Sequence, residues 1–293
     1  MKRLFGSVFI FLFVQSLTAQ DDLMKILDET QPKAKEFAIA TFKSTRLVNM
    51  HTTEVLGKRS LDFRISHRFG DINSGANNAW GLDGPANIKL SLEYSYDGRL
   101  MAGIGRSSYQ KMVDGFLKYR LIRQTTDNRN PLSITLFSGI YETLTDLSSG
   151  SPADNKYADI SNRLSYVSEL LIARKFNSNF SLQIAPIYVH YNLVDFASDK
   201  NDVYAIAFVT RIKYTKRQAV TLEYVWRLNK YSQTTYYDSM GIGWELETGG
   251  HVFSVHLTNS FGISENQFVA YTSNTWENVG IRLGFNISRV FTI

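Results

Sequence analysis

Asn87-Ile88-Lys89-Leu90-Ser91-Leu92-Glu93-Tyr94-Ser95-Tyr96 alternates polar and apolar residues without a break. In an extended chain successive side chains point to opposite faces. Ile88, Leu90, Leu92, Tyr94 and Tyr96 therefore share one face, and Asn87, Lys89, Ser91, Glu93 and Ser95 the other. Looser versions of the pattern recur at 60–69, 99–107, 112–124, 132–143, 162–174, 180–190, 203–214, 219–228, 237–248, 251–260 and 278–288. Segments of about ten residues with this alternation, separated by turn residues, are the signature of an outer-membrane barrel. The fold class expected is all-β: a transmembrane up-and-down antiparallel barrel of about 12 strands, with strand number inferred from that repeat.

The connections support this reading. Asp97-Gly98, 175–179, 215–218 and Gly249-Gly250 are short, whereas 70–86, 144–161, 191–202 and 261–277 are long. Bacterial barrels join their strands by short periplasmic turns and longer external loops. Both termini then fall on the periplasmic side, which requires an even strand count. Asp97-Gly98 reads as a two-residue hairpin turn. Tyr94, Tyr96, Tyr214, Phe180 and Phe253 fall at the periplasmic level, and Phe69, Tyr188, Tyr204 and Trp226 at the external level, as two interfacial girdles require. A secreted β-sandwich would share the alternation but not the paired girdles.

Lys2 and Arg3 precede the apolar run Leu4–Val14, and Ala19 offers a small residue for cleavage, so residues 1–19 read as a signal peptide. Residues 20–58 form an N-terminal periplasmic or plug segment, with a short helix expected at Asp21–Thr30, and the barrel occupies 59–293. The 20–58 segment holds Phe37, Phe42, Leu47, Val48 and Met50, enough apolar surface to enter the barrel as a partial plug. No later run is long and apolar enough for a membrane helix. The chain has no cysteine, which removes thiol chemistry and disulfides. Its formal charge of +5 is interleaved along the chain, without the basic blocks that track a phosphate backbone, so nucleic acid is not an expected partner.

Leu61-Asp62-Phe63-Arg64-Ile65-Ser66-His67-Arg68-Phe69-Gly70, preceded by Ser44-Thr45-Arg46 and followed by Gly84-Pro85-Ala86-Asn87, resembles an uncharacterised (domain-of-unknown-function) outer-membrane β-barrel family of Bacteroidetes. The resemblance is most specific in the first strand and the loop after it. It implies the fold and a location in the bacterial cell outer membrane, and transfers no functional residues.

If the apolar face meets lipid, the lumen receives Asp62, Arg64, Arg68, Lys89, Glu93, Arg99, Asp114, Lys118, Arg120, Arg163, Glu169, Arg211, Lys213, Glu223, Arg227, Glu245, Glu247 and Arg282. Eleven of these are basic and seven acidic, which favours anions if the barrel conducts. The same charges can instead satisfy one another in a filled interior. Val167, Leu171, Ile187 and Val189 face inward together, as a wall for an apolar ligand or as packing for the N-terminal segment. Ser254 and His256 share a face and His67 and His190 end strands, but no acidic partner or nucleophile elbow accompanies them. The five histidines, at 51, 67, 190, 251 and 256, offer no metal-ligand set. No cofactor and no enzymatic activity are therefore expected.

The function expected is a narrow pore, or a protein that binds or transports a small anionic or apolar solute, surrounded by outer-membrane lipid. The alternatives are a non-conducting structural or accessory barrel and an outer-membrane hydrolase. The sequence leaves the solute, the partner proteins and the oligomeric state open.

Overall fold

The computed structural model describes residues 36–145 and 159–293. The signal-peptide reading of 1–19 and the helix expected at Asp21–Thr30 lie outside the described residues. Ala38–Ile293 forms one compact unit, built on twelve strands: β1 (Ser60–Asp71), β2 (Asn87–Ser95), β3 (Leu100–Ser107), β4 (Val113–Ile122), β5 (Ser133–Glu142) and β6 (Leu164–Lys175), then β7 (Phe180–Tyr191), β8 (Asp202–Lys213), β9 (Gln218–Arg227), β10 (Ser239–Thr248), β11 (His251–Thr258) and β12 (Arg282–Thr292). Each strand pairs antiparallel with its chain neighbours, and β1 with β12 closes the sheet from Ser60↔Thr292 to Asp71↔Arg282. Closure leaves no unpaired edge, the condition a sheet must meet in hydrocarbon.

The polarity of the wall is that of a membrane barrel. Along β2 the apolar side chains are exposed, Leu90 by 45% and Leu92 by 42%, whereas Lys89 and Glu93 are buried at 2% and 0%. The burial comes from inside the barrel, because the outward row is the exposed one. Trp244 donates its ring N–H to the Tyr214 hydroxyl at 2.7 Å at the periplasmic level. Tyr188 and Tyr204 pack at a tilt on adjacent strands at the external level, ring centroids 5.5 Å apart.

Two local features differ from the sequence reading. Tyr96 N–H donates to the Leu100 carbonyl at 3.3 Å, so the β2–β3 connection is a three-residue loop with Gly98 at φ 80°, rather than a two-residue turn. Asp97 accepts the backbone N–H groups of Arg99 and Leu100 at 2.8 Å, which holds its carboxyl below the ordinary range. The last strand is Arg282–Thr292 instead of 278–288. Val279 adopts φ 54° and the turn Trp276–Val279 ends the loop, so pairing begins only at Arg282. Pro186 interrupts the β6–β7 ladder between Glu169↔Ile187 and Ile172↔Ile184, where its missing N–H leaves nothing to donate.

Candidate functional site

The lumen is filled by two segments of the chain. From the periplasmic end, residues 38–56 run into the barrel and fold back on themselves. Leu47 N–H bonds the Met50 carbonyl at 3.1 Å and Thr52 N–H the Thr45 carbonyl at 2.9 Å, which places the tip at Leu47–Met50. Phe42, Leu47 and Met50 enter one buried apolar cluster with Val167, Leu171, Ile187 and Val189. The inward apolar wall is thus covered by the chain itself, in a cluster that also takes in Phe268, Val269 and Ala270 from the connection after β11.

A segment without strand neighbours must find partners for its backbone groups elsewhere. The barrel supplies them from side chains. Glu223 accepts the N–H groups of Asn49 and Met50 at 2.8 and 3.0 Å. Gln183 accepts from Thr53 N–H at 2.9 Å and donates to the His51 carbonyl at 2.7 Å. Asn286 donates to the carbonyls of Leu47 and Val48, Arg68 to that of Val48, Lys118 to that of Glu54 and Arg120 to that of Val55. Val48 itself sits over a patch of wall reduced to glycine. A Cβ on Gly241 would lie 2.8 Å from its Cγ1, and one on Gly243 would lie 3.2 Å from its Cγ2.

From the external end, the connection after β11 folds inward and carries helix α1 (Glu265–Ala270), every residue of which is buried. The two segments meet at an ion pair between the Arg46 guanidinium and the Glu265 carboxylate. Glu265 also accepts the Tyr141 hydroxyl at 2.5 Å, and Arg46 Nε lies 3.7 Å from Glu93. Glu93 accepts the Thr45 hydroxyl at 2.7 Å, and Arg64 donates to Ser44, Thr45 and Asp62 at 2.8 to 3.1 Å. At the other end of α1, Arg227 donates to the Ala270 carbonyl at 2.8 Å, a cation on a helix C-terminus. The helix is therefore pinned at both ends, once by the N-terminal segment and once by the wall.

Most of the charged residues expected in the lumen lie there, engaged in these contacts or in wall pairs such as Lys89–Asp114 and Arg211–Glu245, at 2.8 and 2.7 Å. Glu247 pairs with Lys43 at 2.5 Å, Lys213 lies half-buried at the end of β8, and Arg282 lies 3.5 Å from Asp71. Glu169 is buried with neither carboxylate oxygen hydrogen-bonded. Two placements are corrected. Arg99 is exposed in the loop before β3, because the longer turn removes it from the strand. Arg163 ends the 3-10 turn Ser161–Arg163 at the external rim, just outside β6.

Ser254 and His256 do face the lumen, and both ring nitrogens of His256 and the Ser254 hydroxyl lack protein partners. His190 has the acidic partner that the sequence did not place, Asp202 at 2.7 Å across the β7–β8 pair, but on the outward row. Among the described residues, no group of three or more His, Asp or Glu is placed to hold a metal ion. Sequence reasoning missed Arg46, Glu265, Gln183 and Asn286. The first two lie in segments without strand periodicity, and the amides stood out less than the charges.

A closed twelve-stranded wall, apolar outside and polar inside, defines an outer-membrane β-barrel. The chain belongs to the family described as "Membrane bound beta barrel domain (DUF5777)", whose model matches residues 42–291. That span includes most of the N-terminal segment inside the barrel. No curated protein matches the chain. Among solved structures it is similar to the NanC porin, at 9% identity and TM-score 0.45, covering 80% of this chain and 99% of that one. It is similar to the COG4313 outer membrane channel from Pseudomonas putida F1, at 14% identity and TM-score 0.44, covering 82% and 98%. It is also similar to outer membrane phospholipase A from Escherichia coli, at 10% identity and TM-score 0.42, covering 78% and 92%. Likenesses this distant assign no activity.

Proposed function

We propose that this protein is a gated barrel for a small polar solute, seen with its lumen closed. The observation that carries the reading is the way residues 38–56 are held. Their polar contacts with the strands are side-chain hydrogen bonds and the ion pairs Lys43–Glu247, Arg46–Glu93 and Glu54–Arg120, whereas a wall strand would be held by a continuous backbone ladder. Side-chain contacts of this kind can be exchanged for water one at a time when the segment slides. The apolar wall at Val167 and Leu171 is already covered, which favours a polar solute over an apolar one. The reading is non-catalytic, because the buried Ser254 and His256 are without a hydrogen-bonded carboxylate.

The rival reading, a permanently filled structural barrel, is favoured by the same apolar cluster, which joins Phe42, Leu47 and Met50 to Phe268 of α1. One experiment separates them. The chain lacks cysteine, so Val48→Cys with Gly241→Cys introduces a single candidate disulfide between segment and wall. In planar bilayers the gated barrel shows conductance events that vanish on oxidation and return on reduction. A barrel silent in both states, and silent without the cysteines, is the structural one.

A further inference from the structure

Above α1, at the external mouth, lies a pocket of about 360 Å³, within the size range of small-molecule sites. Its wall brings together Tyr109, Tyr191, Tyr236 and Tyr271 from four different connections or strand ends, and its floor includes Asn266 of α1. The tyrosines form a packed set. Tyr271 meets Tyr191 edge-on at 5.0 Å and Tyr236 at 5.2 Å, and Tyr231 backs them with the Arg227 guanidinium 4.4 Å over its ring. Asn266 is 2% exposed, with its side-chain amide nitrogen donating to Ser165 at 2.9 Å and its backbone carbonyl accepting the Tyr191 hydroxyl at 2.6 Å.

We infer that this pocket binds a saccharide. A pyranose ring presents a face of C–H groups, which carry partial positive charge, and tyrosine rings present a negative face to receive it. Its hydroxyls both donate and accept, matching the lining hydroxyls of Tyr109 and Ser273, which have both roles as well, and the side-chain nitrogen of Gln110. Arg163 and Asp195 supply one charge of each sign, so the lining selects for hydroxyl groups and not for net charge. A purely apolar ligand would leave these hydroxyls without partners. A small inorganic ion would leave the aromatic faces uncovered.

The inference rests on the solute-gate reading for its biological use, but the site is testable without it. The full-length protein in detergent, with the Val48→Cys/Gly241→Cys disulfide closed, cannot pass solute yet keeps the pocket. Saturation-transfer NMR against glucose, galactose, N-acetylglucosamine, maltose and lactose is the assay, with butyrate and sodium phosphate as controls. The expected result is transfer to ring C–H protons of at least one sugar and to neither control. Tyr236→Ala should weaken binding roughly tenfold or more, a loss of about 1.4 kcal/mol. Tyr236→Phe, which keeps the ring, should retain it. Heat-modifiability on a denaturing gel confirms that each variant is a closed barrel. No transfer to any of these sugars, or equal binding by Tyr236→Ala, overturns the assignment. Binding without conductance in the reduced protein would keep the site and remove the gate.

Discussion

Leu92 and Gly241 show how much a single position decides. Leu92 is on the outward row of β2, paired with Phe63 and Ile104, and is 42% exposed where lipid is the solvent. Leu92→Arg should cost about 2 to 4 kcal/mol at mid-membrane and reduce assembly, measured as the heat-modifiable fraction, while Leu92→Phe should not. This facing was legible in the sequence, because a period of two allows only two assignments and the interfacial tyrosines choose between them. Gly241 was not legible. Its lack of a side chain matters only because Val48 occupies the space, and that contact spans nearly two hundred residues of chain. Gly241→Val should overpack the seat by about 1–3 kcal/mol and expose residues 38–56 to protease in the intact barrel. Adding Val48→Ala should restore protection; if it does not, the contact is not what seats the segment.

At the scale of elements, the strands followed from local pattern and the two inserted segments did not. β2 through β11 begin and end within about two residues of the expected positions, since the interfacial girdle and the turn residues mark both ends. Residues 41–56 and α1 lack periodicity because almost all of their side chains are buried, so no face of either is consistently polar or apolar. Their joint is the Arg46–Glu265 pair, buried at 5% and 0%. Arg46→Ala leaves the Glu265 carboxylate in the closed lumen without its cation, a loss of about 3–5 kcal/mol for a buried pair broken on one side. Arg46→Ala with Glu265→Ala should cost clearly less than the sum of the single changes. Urea titration of the folded band measures both. Additive costs would mean that the two segments are held independently and that α1 does not retain the N-terminal segment.

For the molecule as a whole, the question is which charges the solvent meets when the lumen opens. With Arg99 and Arg163 placed outside it, nine basic and seven acidic residues of the expected set remain on the luminal side. Their sum is a weaker guide than their partners. Residues 38–56 cover Arg64, Arg68, Lys118 and Arg120 with carbonyls, hydroxyls and the Glu54 carboxylate, whereas the carboxylates they engage on the wall are three, Glu93, Glu223 and Glu247. Arg211–Glu245 and Lys89–Asp114 remain paired whether or not the segment is present. Withdrawal of the segment therefore uncovers more positive than negative charge, in a narrow passage whose low-dielectric wall concentrates the field. The reduced Val48→Cys/Gly241→Cys protein should show an anion-selective reversal potential under a salt gradient near 0.1 M, where the Debye length is about 10 Å. Lys118→Gln with Arg120→Gln should shift that potential toward zero, because these two cations lose the Glu54 and Val55 carbonyls and the Glu54 carboxylate when the segment leaves. Cation selectivity in the open state would show that the conducting path does not follow the surface that residues 38–56 cover.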